Sequence, residues 1–73
     1  MELFNVEINH PFYSLHYVAE QVPLKEAMKI AEEQSKLFCP KTVFIEKVYD
    51  KEGTMIHEST PWYDILKWRE EHE

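Results

Sequence analysis

Glycine and cysteine each occur once in this chain of 73 residues, and no apolar run approaches the ~20 residues that a membrane-spanning helix needs. Each scarcity excludes something. A loop that cradles phosphate uses several glycines to bring backbone N–H groups onto the ligand, so a nucleotide site of that kind is not expected. A single thiol, Cys39, leaves no intrachain disulfide. A metal site needs three or four convergent ligands, and no C-x-x-C or H-x-x-x-H spacing is present. The four histidines, His10, His16, His57 and His72, therefore read as independent side chains. Neither a metal nor a cofactor is expected.

Positive charge is also in short supply. Eight Lys and Arg residues face fourteen Asp and Glu, for a net charge of -6. The excess is spread along the chain: residues 1–40 hold six acids and three bases, residues 41–73 eight acids and five bases. Phosphate backbones and anionic lipids are poor partners for such a surface, and a basic protein surface is a good one. The first residues, Met1-Glu2-Leu3-Phe4-Asn5-Val6-Glu7-Ile8, alternate and carry carboxylates, unlike a secretory signal. With one thiol and no export signal, the cytoplasm is the expected location.

What the chain does have is apolar and aromatic. Hydrophobic residues make up 44% of it, enough for a packed core rather than a disordered segment. Four Phe, four Tyr and two Trp give more rings than one small core can hide, so some belong at the surface. At this length a single domain, residues 1–73, is expected, with a marginal core.

The hydropathy pattern predicts an α+β fold. Leu3 to Asn9 alternates, with Phe4, Val6 and Ile8 on one face and Asn5, Glu7 and Asn9 on the other, as in a half-buried strand. His10-Pro11 breaks it, and Tyr13 to Glu20 reads as a second strand, in a hairpin with the first or as the continuation of one bent strand. Val22-Pro23 announces a helix whose stripe is Leu24, Ala27, Met28, Ala31, Ser35 and Phe38, widened by Ile30 and Leu37. Cys39-Pro40 ends it. Cys39, beside Phe38, is expected to be a buried, inert thiol. Thr42 to Tyr49 carries apolar residues on both faces, the mark of a central or doubly covered strand. Asp50-Lys51-Glu52-Gly53 turns the chain, with the only glycine where positive φ is needed, and Thr54 to Ser59 returns. Thr60 then caps a last helix with Pro61 at its first position. The order is β-β-α-β-β-α, or β-α-β-β-α without the first hairpin, with a mostly antiparallel sheet and the helices on one face.

No catalytic constellation stands out. Cys39 lacks a local His signature, and His57 and Glu58, the most tempting acid–base pair with Tyr49 nearby, are adjacent in a strand and point to opposite faces. An enzyme is not expected. Sheet aromatics such as Tyr13, Tyr17, Phe44 and Tyr49 can stack on bases, but no basic stripe accompanies them. Acids spaced like phosphates can mimic nucleic acid, though eight bases dilute them.

The last helix is the richest segment. Pro61-Trp62-Tyr63-Asp64-Ile65-Leu66-Lys67-Trp68-Arg69 packs three rings and an arginine into a short stretch, and Trp, Tyr and Arg are the usual anchors of interfaces. Trp62, Tyr63, Trp68 and Arg69 are the candidate contact residues, with Glu70 and Glu71 at the rim. Trp62, Ile65, Leu66 and Arg69 share one face, so Trp62 is equally a candidate to cap the core, with Tyr63 and Trp68 at its edge.

Three segments, Tyr17-Val18-Ala19-Glu20, Leu24-Lys25-Glu26-Ala27 and Val48-Tyr49-Asp50-Lys51-Glu52-Gly53, give the chain a pattern similar to short accessory proteins of tailed bacteriophages and bacterial mobile elements. That resemblance implies a small protein that binds and modulates a host protein, such as a defence or nuclease component, in the host cytoplasm. The expected function is a non-catalytic protein-binding module, an acidic inhibitor or modulator. A self-associating protein, such as a homodimer joined by sheet edges or by the last helix, is the alternative.

Overall fold

The computed structural model describes residues 2–12 and 16–72. Its elements follow the order β-β-α-β-β-α: β1 (Leu3–Ile8), β2 (His16–Val22), α1 (Leu24–Gln34), a 3-10 turn (Pro40–Thr42), β3 (Val43–Tyr49), β4 (Met55–Pro61) and α2 (Trp62–His72). The four strands form one sheet in the order β2-β1-β3-β4, with every neighbouring pair antiparallel. β1 and β2 thus form a hairpin, not one bent strand. The expected extent of the second strand included Tyr13 and Leu15, which lie outside the described residues; the strand continues past Glu20 to Val22.

Strand alternation decides where the core sits. Phe4, Val6 and Ile8 of β1 meet Val43 and Ile45 of β3, and both helices cover that face: α1 with Ala27 and Ala31, α2 with Trp62. Val6, Ile8, Ala27, Ala31, Val43 and Trp62 are completely buried. Hiding a side chain the size of Val or Ile stabilises the fold by about 1.5–3 kcal/mol. The two alanines matter by being small, because they let the α1 backbone approach the sheet. With both helices on one side the molecule is a plate, 34 × 33 × 17 Å. β3 is central, but among the described residues no helix covers its second face, which carries Phe44 and Glu46.

Local chemistry accounts for the remaining departures from the pattern. α1 ends at Gln34 rather than at Cys39: the Ser35 hydroxyl donates to the Glu32 carbonyl at 2.8 Å, and tight turns follow through Phe38. Leu37 consequently leaves the apolar stripe and is 76% exposed, and Leu24 at the first turn is also exposed. Cys39 is exposed, not buried, because it follows that turn instead of closing the helix. Pro61 is the last residue of β4, paired with Phe44, so α2 begins one residue later than expected; an edge strand tolerates proline at its end. β2 is irregular. Val6 pairs with Ala19 and Glu7 with Tyr17, so the chain bulges and both Val18 and Ala19 pack toward the core. Gln21, at φ 52°, makes the second irregularity, and its N–H donates to Asn5 Oδ1 at 2.8 Å.

The β3–β4 turn forms as its residues dictate. Gly53 adopts φ 80°, and Asp50 Oδ1 accepts from the backbone N–H of Glu52 at 3.0 Å and of Thr54 at 2.8 Å. Among the described residues no helix is long and apolar enough to cross a membrane.

Candidate partner-binding surface

α2 carries the aromatic cluster, and its helical phase divides that cluster in two. Trp62 points into the core and is fully buried, with Ile65 and Leu66 packed on the same cluster. Trp62 is therefore not available to a partner, which corrects its place among the candidate contact residues: it anchors the helix. Its indole N–H has no hydrogen-bond partner among the described residues. Tyr63 and Trp68 lie on the two flanks, 45% and 60% exposed. Arg69 is half-buried, and Glu70 and Glu71 are exposed.

Each flank has its own cleft. On one side Pro40, Tyr63, Leu66, Lys67 and Glu70 line a recess of about 320 Å³ between the helix and the 3-10 turn. Lys41 reaches over the Tyr63 ring, its ammonium 5.3 Å from the centroid, a cation–π contact. On the other side Thr60, Asp64, Ile65 and Trp68 line a notch of about 290 Å³. The walls of that notch are almost entirely carbon. Trp68 is steadied from below by His72: the rings stack at 4.2 Å and 16°, and His72 Nδ1 sits 2.8 Å from the Trp68 carbonyl. Glu70 and Glu71 occupy the last turn, where the helix dipole disfavours carboxylates by a few tenths of a kcal/mol.

The uncovered sheet face carries a second cluster, which the residue pattern did not reveal. Register places Glu7 opposite Tyr17 on one side and Phe44 on the other, and Asn5 opposite Glu46. The Ser59 hydroxyl donates to Glu7 Oε1 at 3.4 Å, and Asn5 Nδ2 to Glu46 Oε1 at 3.0 Å. His57 Nδ1 lies 3.5 Å from Glu46 Oε2. Glu7 is buried, only 7% exposed. Burial foremost, then the charge of Glu46, pushes its carboxyl above the ordinary value; the Ser59 hydrogen bond opposes this, a hydrogen bond between the two carboxyls adds to it, and the charge of His57 opposes it. The charges of Glu46 and then Glu7 raise the Tyr17 phenol. Alternation alone puts Glu7 on the polar face of its strand; only the β1–β3 register brings Glu46 to it.

Among the described residues no three His, Cys, Asp or Glu side chains are grouped to hold a metal ion. His57 turns to Glu46, not to Glu58, as adjacent strand residues must. His10 packs edge-on against Phe38, with ring centroids 6.2 Å apart, and its Nδ1 accepts from the Phe12 backbone N–H at 3.1 Å. No family model, no curated protein and no solved structure matches this chain, so its role has to be read from these surfaces.

Proposed function

We propose that this chain is a non-catalytic protein-binding module, an acidic inhibitor or modulator that docks through α2. The observation that carries the reading is the division of labour within that helix. Trp62 is completely buried and fixes the helix on the sheet, while Tyr63 and Trp68 stand exposed on its flanks, each beside a cleft. Large rings held on a rigid element lose little entropy on binding and are the usual hot spots of interfaces. Arg69, Glu70 and Glu71 form the rim. A net charge of -6 steers such a surface toward a basic region of its target and raises the association rate. On the resemblance drawn from the sequence, the target is a host protein, met in the host cytoplasm by an accessory protein of a phage or mobile element.

Self-association is favoured by one specific feature. β4 is an outer strand, most of its residues are exposed and its pairing with β3 shifts register once, between Lys47 and Tyr49, whereas the other outer strand, β2, is interrupted by two such shifts. Mutual repulsion between two copies of charge -6 works against it. Light scattering on the purified chain separates the two: a monomeric mass leaves β4 unpaired and supports the first reading, whereas a dimeric mass moves the proposal to self-association.

The principal test is capture from host lysate with matched baits, the parent chain against Trp68→Ala and Tyr63→Ala. The expected result is one stoichiometric partner on the parent, lost as salt is raised and depleted on both folded variants. A partner retained equally by both variants would exclude α2 as the interface.

A further inference from the structure

The two flanks of α2 are alike in plan and differ in one respect. Each sets an aromatic ring and an acidic side chain around a recess of similar size: Tyr63 with Glu70, Trp68 with Asp64. On the Tyr63 side the chain supplies the cation itself, because Lys41 lies over the ring and Lys67 is part of the lining. On the Trp68 side, among the described residues, no lining residue is Lys or Arg. We infer that the notch of Thr60, Asp64, Ile65 and Trp68 receives one arginine side chain from the partner. This rests on α2 being the interface and specifies what that interface reads.

The chemistry of the notch selects that occupant. Its walls, formed by Thr60, Asp64, Ile65 and Trp68, are almost entirely carbon, and they suit an aliphatic stem or a flat, weakly hydrated group. Asp64 is exposed at the edge, where a guanidinium head arrives once the stem is seated. Guanidinium stacks on an indole and pairs with a carboxylate in the same pose, which an ammonium does less well. A leucine or phenylalanine would fill the same space but would strip water from Asp64 without replacing its hydrogen bonds. The net charge of -6 favours the cationic occupant again. His72, stacked on Trp68, holds the ring in place.

The test needs no identified partner. A short peptide with a single arginine, acetyl-Gly-Arg-Gly-amide, is titrated into the isotope-labelled parent chain and followed by the Trp68 indole N–H and the Asp64 amide. Saturable shifts centred on these two groups are expected. Asp64→Asn should weaken the binding by about two- to fivefold, the range of a single exposed ion pair, and Trp68→Ala should abolish the saturable shift. The matching citrulline peptide, uncharged but of the same shape, should shift neither group measurably. Equal binding of citrulline or leucine peptides would overturn the inference, as would shifts centred on Glu7 and Glu46, or an undiminished response in Asp64→Asn. A blank, with no saturable shift of either group, would overturn it as well; because the titration uses the purified chain alone, that result leaves the lysate capture to stand on its own, and a failed capture leaves this result readable.

Discussion

The two faces of the sheet are built from the same strands and do opposite things. On β1, Val6 and Ile8 point to the helices and are fully buried against hydrocarbon, while Glu7 between them points to the open side and is nearly as buried. On β3, Ile45 joins the core and Glu46 joins Glu7. The covered face collects apolar area and holds the fold together. The open face gathers two carboxyls whose mutual repulsion, added to burial, works against folding. α2 repeats the contrast within eleven residues, with Trp62 inside and Trp68 outside. Burial in this molecule therefore does not mark stability; what matters is whether the buried group finds hydrocarbon or a like charge.

Substitutions that exchange the two faces' roles test this, and the largest effect belongs to Trp62. Trp62→Ala removes the largest fully buried side chain and should cost about 3–5 kcal/mol. For a domain this small that is most of its stability, and urea melts should show a chain largely unfolded near room temperature. Ile8→Val, a single methylene from the same face, should cost about 0.5–1.5 kcal/mol with an unchanged m-value.

The open face should respond with the opposite sign. The folded-state pKa of Glu7 is raised, so its contribution to stability is fully present below the unfolded value and is lost as pH rises through the folded one. Glu7→Gln should therefore raise the urea midpoint at neutral pH and flatten its pH dependence above the ordinary carboxylate range. Glu2 runs the other way: its hydrogen bond to Lys47, at 2.7 Å, lowers its pKa, so its contribution is present above the unfolded value and lost as pH falls through the folded one. Both partners are solvated, so Lys47→Met should change stability only slightly. The smallest change in stability is expected from Trp68→Ala, within about 0.5 kcal/mol by thermal melting, as for a surface residue outside the core.

Much of the scaffold is legible in the residues, because each signal is local. Alternation in Phe4, Val6 and Ile8 marks the core face, and Asp50 with Gly53 closes the second hairpin. Pro23 sits immediately before α1. The same locality explains the failures. Periodicity carried the α1 stripe through Leu37 and Phe38, with Cys39-Pro40 as its end, but Ser35 turns its hydroxyl back on the helix, which ends sooner. Helical phase put Trp62 on the inward face, yet interface composition made it equally a contact residue; only the packing of Ile8, Val43 and Ala27 around one cluster decides between them. The pairing of Glu7 with Glu46 is separated by 39 positions in sequence and depends on strand register, which no local pattern encodes.

The measurement that tests the central claim most directly is a paired comparison of Trp62→Phe and Trp68→Ala, each scored for melting temperature and for capture of the lysate partner. If α2 is held by one tryptophan and read through the other, Trp62→Phe should melt lower and, at temperatures where it remains folded, still capture the partner. Trp68→Ala should melt close to the parent and capture nothing. A Trp68→Ala chain that is folded and binds normally would contradict the assignment of α2 as the recognition surface.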